Sequence, residues 1–414
     1  MALPIIIALC ILMLFAYFFD ITSARTKIPP VILLFALGWS VNQAAGIFDL
    51  DIPDLTTVLP FLGTIGLVLI VLEGALEIDF DTSKLSFVGK TILVAIIPVL
   101  VISFSLAYAL QLFLDIEFKV ALLNAIPFAI ISSAIAIPSV QNIRYENREF
   151  VTYESSVSDI FGVLLFNFLL EKKIMNVKTL GLFFGEIVMI LVVTFFATIM
   201  LAFLLSQIRH HVKFAPIILM IVLIFAVSEL YHLPALIFIL LFGLFIGNLN
   251  QLKQSVIVKK LHTKSFKREI KKFKELTMEL TFLIRTLFFL VFGFLIETNE
   301  LINSETLIWS ISITAGIFLL RALVLRIFKI NLLPLVFISP RGLVTILLYL
   351  SIPASMTISI VNDSLIIQVI ILTSLALMLG MLTSKPKQVK TKEKVDKGKV
   401  DGTNEGPALE GLAN

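Results

Sequence analysis

Thirteen apolar runs divide this chain, near residues 3–19, 29–46, 57–78, 86–114, 118–140, 150–170, 179–208, 214–231, 233–248, 277–297, 301–326, 331–353 and 364–383. Most approach or exceed the ~20 residues that a helix needs to cross the hydrocarbon core of a bilayer. In lipid, every backbone N–H and C=O must be paired inside the protein, so runs of this length fold as helices. Hydrophobic residues make up 58% of the chain and charged residues 15%, well away from a soluble domain. The expected fold class is an all-α polytopic membrane protein with about 13 transmembrane helices. The first run has no basic flank or small-residue cleavage site, so it reads as a spanning helix rather than a signal.

The loops set the expected orientation. With the N-terminus outside, the inner loops hold nineteen Lys and Arg and the outer loops only four. That asymmetry predicts N-out and C-in. Residues 249–276 form a basic inner loop, and its 253–274 stretch reads as an amphipathic segment for the anionic inner leaflet or as a solvated loop. The lysine-rich tail, 385–414, reads as disordered and cytoplasmic. The single cysteine, Cys10, allows no intrachain disulfide. Four histidines and no cysteine constellation give no expectation of a zinc or haem cofactor. No H-E-x-x-H or G-x-S-x-G motif suggests an enzyme, and no nucleic-acid partner is expected.

Few ionisable residues fall deep within the runs: Glu73, Glu154, Asp159, Arg285, Arg321 and Arg341. A carboxylate at mid-bilayer costs roughly 2.5 kcal/mol or more, so it is kept only beside a partner or a wet cavity. The stretch YESSVSDIFG (153–162) holds two of them. At helical spacing, Glu154 shares one stripe with Ser158, and Ser155 shares the next with Asp159. Asp159 and Arg341 lie at similar, near-midplane depth. Arg341 is the expected ion-pair partner of Glu154, a staple for the bundle. Arg321, about five residues from an inner end, is expected to snorkel; Arg285 reads either that way or as a buried pair. Asp159 is then left without a fixed cation, so it must take up a proton or a metal cation.

Two runs carry interruptions. NAIPFAIISSAIAIPSV and NLLPLVFISPRGLVTILLYLSIP each place serine five residues after proline: Pro127 to Ser132, and Pro334 to Ser339. Such residues free backbone groups that only protein or water can satisfy. Paired interruptions in two halves point to an inverted repeat whose broken helices meet at the midplane. Ser132, Ser155, Ser158 and carbonyls near Ser133 and Ala134 would complete an oxygen shell beside Asp159.

Four motifs in order give the chain a family resemblance. LVLIVLEGALEIDF, YESSVSD, RTLFFLVFGFLIE and SPRGLVTILL resemble those of the monovalent cation–proton antiporter superfamily, nearer its NhaP and sodium–proton exchanger branch. The resemblance places Glu73, Glu154, Asp159 and Arg341 on that branch's functional positions. Two positions depart from it: Ser158 precedes the aspartate, and Ile135 stands where the branch has an acidic residue. The resemblance implies an NhaA-like fold of two six-helix inverted repeats with crossed broken helices. It further implies homodimers, with dimerisation parts at 1–78 and 214–297. Ion-carrying core parts lie at 86–170 and 301–384, and a linker at 179–208.

The expected function is alternating-access exchange of Na⁺, K⁺ or Li⁺ for H⁺ in a bacterial-type plasma membrane, one for one. Asp159 is the shared site, Ser132, Ser133, Ser155 and Ser158 are ligands, and Glu73 and Arg285 are supporting charges. A cation channel, an organic-anion symporter gripping its substrate with Arg341, and a non-transporting sensor are the rival readings.

Overall fold

A computed structural model describes residues 2–48, 55–78, 85–140, 143–171, 214–230, 235–248 and 264–383, with isolated positions between 185 and 200. The expected linker at 179–208, the basic stretch 249–263 and the tail from 384 lie largely or wholly outside the described residues. The helices are α1 (Ala2–Thr26), α2 (Pro30–Ile47), α3 (Val58–Glu77), α4 (Leu85–Leu114), α5 (Phe118–Ala129), α6 (Ser133–Ser139), α7 (Tyr145–Glu171), α8 (Phe214–Leu230), α9 (Ala235–Gly247), α10 (Lys264–Leu295), α11 (Ser304–Ile327), α12 (Leu343–Leu350) and α13 (Asp363–Thr383). A single turn at Thr298–Leu301 joins α10 to α11.

Eight of these stretches are long and apolar enough to cross a membrane, and three shorter apolar helices join them. Together they account for every expected segment but two. The seventh lies outside the described residues. The twelfth is short because its first half is a 3₁₀ turn at Leu335–Phe337 followed by extended chain.

Local chemistry fixes the helix ends. Pro30 occupies the first turn of α2, where its missing N–H costs nothing. Asn303 caps α11 by accepting from the Glu305 amide at 3.0 Å. Glu305 in the first turn and Arg326 in the last complement the α11 dipole. Helix α10 begins earlier than expected, at Lys264. The basic residues 264–274 are therefore the first turns of a spanning helix, not a separate surface segment. Lys and Glu are good helix formers and simply extend it.

The helices pack as two groups. In one, α2 lies along α10, α3 along α9 and α10, and α1 and α8 lie outside them. In the other, α4, α5, α6 and α7 pack together, α11 packs on α13, and α11 also packs on α4. Helix α3 carries the contacts between groups, touching α6, α7 and α12. Its glycines allow that approach: a Cβ at Gly63 would overlap Leu347 of α12, and one at Gly74 would sit 3.0 Å from Ser156 Oγ. The turn after α10 is tied to both groups. Trp39 Nε1 donates to Thr298 Oγ1 at 3.2 Å, and Gln368 Nε2 lies 3.5 Å from the Glu300 carbonyl. The outward faces of α1, α4 and α11 expose Leu14, Phe18, Tyr108, Phe113, Ile308 and Leu319. Such exposure suits lipid rather than water.

Candidate functional site

The site forms where the two interrupted segments cross. Helix α5 stops at Ala129 because Ile130 and Ser132 take extended backbone conformations, and α6 restarts at Ser133. The second segment is extended over Ile338–Gly342 before α12 starts. Breaking a helix in a membrane frees amides and carbonyls, and each needs a partner.

The partners are accounted for one by one. The Ser132 amide donates to the Pro340 carbonyl at 2.9 Å, joining the two breaks directly. The Ile131 amide donates to Ser158 Oγ at 3.0 Å. The Ser133 amide donates to Asp159 Oδ2 at 3.1 Å, and the Ser133 hydroxyl donates to the same oxygen. In the second segment, the Arg341 amide donates to Thr373 Oγ1 at 3.1 Å, and the Gly342 amide donates to Thr345 Oγ1 at 3.4 Å. Gly342 is needed for the crossing: a Cβ there would fall 2.8 Å from Ser132 Oγ.

Arg341 serves the backbone as well. Its Nε donates to the Phe128 carbonyl at 2.6 Å and its Nη2 to the Ala129 carbonyl at 3.3 Å. Its Nη1 donates to the carbonyl and hydroxyl of Ser339 at 2.8 and 2.7 Å. A cation thus sits on the negative C-terminal end of α5, where its charge offsets the helix dipole. Four of the five guanidinium N–H groups are used this way. Too little is left to grip a substrate carboxylate, which removes the basis of the organic-anion reading.

The expected Glu154–Arg341 pair is therefore corrected. Glu154 is paired with Arg321 of α11, in a two-pronged contact of 2.7 and 2.8 Å. Arg321 also donates from Nε to the Leu335 carbonyl at 2.8 Å, which ties α11 to the turn before the second break. Both side chains are almost fully buried, at 1% and 2% exposure. Arg321 does not snorkel, because a forked, fully satisfied pair in the bundle outweighs the reach to the interface.

Asp159 lies at 1% exposure. It points neither to lipid nor to a basic neighbour. Its Oδ2 rests on Ser133 at the start of α6, and its Oδ1 is buried without a hydrogen-bond partner among the described residues. Ser132 Oγ is likewise buried and unpartnered among them. Ser155 donates its hydroxyl to the Val151 carbonyl at 2.8 Å, within its own helix. Of the four expected serine ligands, Ser133 thus touches the aspartate and Ser132 has a free oxygen. Ser158 holds the break open, and Ser155 keeps only unshared lone pairs.

Glu73 and Arg285 lie on the neighbouring group of helices, on α3 and α10, with no direct ion pair between them. Thr281 of α10 donates its hydroxyl to the Thr277 carbonyl at 2.8 Å and lies 3.3 Å from the Leu69 carbonyl of α3, and Lys274 Nζ lies 3.4 Å from the Leu76 carbonyl of α3. Arg321 and Thr373 are the residues that sequence reasoning missed. A run position gives depth but not facing direction, so Arg321 carried no signal beyond being an arginine inside an apolar run. No group of three or more His, Cys, Asp or Glu that could hold a metal ion occurs among the described residues. A monovalent ion held by one carboxylate, hydroxyls and carbonyls needs no such group.

Residues 10–385 match the family model described as "Sodium/hydrogen exchanger, transmembrane". A solved structure of the sodium proton antiporter MjNhaP1 from Methanocaldococcus jannaschii at pH 8 superposes with a TM-score of 0.64. It shares 20% identity over 92% of this chain and 96% of that one. An electron-microscopy structure of the same antiporter gives a TM-score of 0.67 at 20% identity, over 94% of this chain and 100% of that one. No curated protein sequence matches the chain.

Proposed function

We propose that this chain, which belongs to the sodium/hydrogen exchanger family, exchanges a monovalent cation for a proton at Asp159. The observation that carries the proposal is the aspartate itself. It is buried, anchored through one oxygen by Ser133 and unpartnered at the other, with no basic group bonded to it. A lone buried carboxylate is unstable as a bare anion, so it holds either a proton or a cation. The two compete for one group, and competition couples their fluxes without direct contact. Asp159 Oδ1 and Ser132 Oγ are the first ligands we assign, with Ser133, Ser155 and Ser158 and the carbonyls of the break completing the shell. Na⁺, K⁺ and Li⁺ all suit a shell of hard oxygen donors.

The movement follows from the same charge argument. We assign the α4–α7 and α11–α13 group to the part that carries the ion. The α1–α3 and α8–α10 group is the stationary, dimer-forming part. Occupied by H⁺ or a cation, the site is neutral and can pass the apolar flank of α3; empty, it is charged and is held back. The close approach at Gly63 and Gly74 gives α3 a low-relief face for that passage.

Purified protein in proteoliposomes with a trapped pH dye tests the proposal. Addition of Na⁺, K⁺ or Li⁺ outside an acid-loaded vesicle is expected to discharge the pH gradient for at least one of them. One titrating aspartate predicts one proton per cation, so an imposed membrane potential leaves the initial rate unchanged. A rate that grows with potential would demand a second titrating group. Conductance without any proton movement would assign the chain to channels instead. No response to any of the three cations would favour a sensor.

A further inference from the structure

We infer that Arg285 is a positioning residue for the transport cycle: a latch through which the stationary helices hold the ion-carrying helices in the conformation seen here. The inference rests on the exchange reading above and adds to it the residue that fixes one end of the movement.

The contact that suggests it crosses between the two groups of helices. Arg285 belongs to α10, and its Nη1 lies 3.5 Å from the carbonyl oxygen of Ala134 in α6. Ala134 directly follows Ser133, the residue that anchors Asp159. In an α-helix, the carbonyl of residue 134 accepts from the amide of residue 138. Residue 138 is proline, which has no N–H. The Ala134 carbonyl is thereby left open to an outside donor, and Arg285 supplies it. At 3.5 Å the bond is long and weakly directional, more a charge facing a dipole than a locked hydrogen bond. Such a contact can be made and broken within a transport cycle.

Arg285 has a second partner ready. Glu73 lies on α3, which packs along α10 in the same group of helices, and in this conformation it makes no direct ion pair with Arg285. Thr281, one helical turn before Arg285, lies 3.3 Å from the Leu69 carbonyl, one turn before Glu73, and so ties the two helices together at this level. When the ion-carrying helices move, the Ala134 carbonyl leaves, and Arg285 turns to Glu73 on the adjacent α3 as counter-ion. Neither conformation then strands an isolated charge in a low-dielectric interior, which would be prohibitive. Because the latch grips the residue beside Ser133, its strength biases the conformation in which Asp159 presents its free oxygen.

Distance measurement by paired spin labels tests this. In a Cys10→Ser background, labels at Phe48→Cys beyond α2 and Leu112→Cys on α4 report the displacement between the two groups; both positions are exposed. The otherwise unaltered protein is expected to show two distances, one of them that of this structure. Arg285→Gln should move the balance away from this structure's distance by about threefold to fivefold, below the roughly tenfold of a well-formed charged hydrogen bond. Pro138→Ala restores an amide that competes for the Ala134 carbonyl, so it should shift the balance the same way by a smaller factor, with Arg285 intact. Two distances whose proportions neither substitution alters would overturn the latch while leaving the exchange reading standing. A single, invariant distance in all three proteins, across pH and cation, would overturn the latch and the movement together.

Discussion

Asp159→Asn is expected to stop cation–proton exchange. The substitution keeps the shape and the hydrogen-bond acceptor facing Ser133, so the crossing of the two breaks survives and the protein still folds. It removes the charge that, in the proposed exchange, a proton and a cation share. A neutral amide neither releases a proton near neutral pH nor compensates a bound cation. The expected result in proteoliposomes is loss of cation-driven dequenching to the level of empty vesicles, for every cation that drives the unaltered protein. Size-exclusion behaviour and thermal midpoint should stay close to those of the unaltered protein. Asp159→Glu is expected to retain partial exchange with altered cation preference, because the longer side chain moves the carboxylate within a tightly buried site. Unchanged exchange by the asparagine variant would place the shared group elsewhere.

The second large effect is on stability. Arg321→Met leaves Glu154 buried without its partner, and also frees the Leu335 carbonyl. Removing one member of a buried pair typically costs about 3–5 kcal/mol. That is enough to lower the thermal midpoint in detergent by many degrees or to abolish expression of folded protein. Glu154→Gln should be costly as well, since the amide keeps one hydrogen bond from the arginine but leaves the buried Arg321 charge without a counter-charge. The double substitution Glu154→Leu with Arg321→Met removes both charges and should recover much of the loss, as replacing a whole buried pair by apolar residues often does. The contrast with Arg341 is informative. Arg341→Met should also destabilise, but no change at position 154 should rescue it, because Arg341 holds backbone carbonyls rather than a carboxylate. Rescue of Arg341→Met by Glu154→Leu, with none for Arg321→Met, would mean that the ion pair is drawn to the wrong arginine.

Much of this architecture is legible in the sequence, for physical reasons that can be located. Apolar run length fixes the spanning helices, since lipid admits no other use for twenty such residues. The proline-to-serine spacings at 127–132 and 334–339 mark the two breaks, because only a protein-lined or wet interior tolerates them there. The four-residue spacing in YESSVSD separates Glu154 from Asp159 by face, and the structure does give them different partners. What the sequence withholds is facing direction and the pairing of distant segments. Two arginines, 321 and 341, sit in adjacent runs, and depth alone favours the deeper one for Glu154. The choice is decided by the break itself. Once α5 ends at Ala129, its loose carbonyls claim the nearest guanidinium, and Arg321 is left for the glutamate. Thr373, which receives the Arg341 amide, has no sequence signal at all, being one threonine in an apolar helix. Likewise, nothing in the run pattern says that the basic residues 264–274 continue into α10 as one helix.

Competition between a proton and a cation for the carboxylate at 159 is the central claim, and the pH dependence of the half-saturating cation concentration tests it most directly. If protonated and cation-bound forms exclude each other, the apparent affinity falls with the deprotonated fraction. Half-saturation should then rise about tenfold for each pH unit below the aspartate's own pKa and level off above it, while the maximal rate at saturating cation stays nearly constant on the acid limb. A half-saturating concentration that does not move with pH, with the rate falling instead, would mean that proton and cation occupy separate groups.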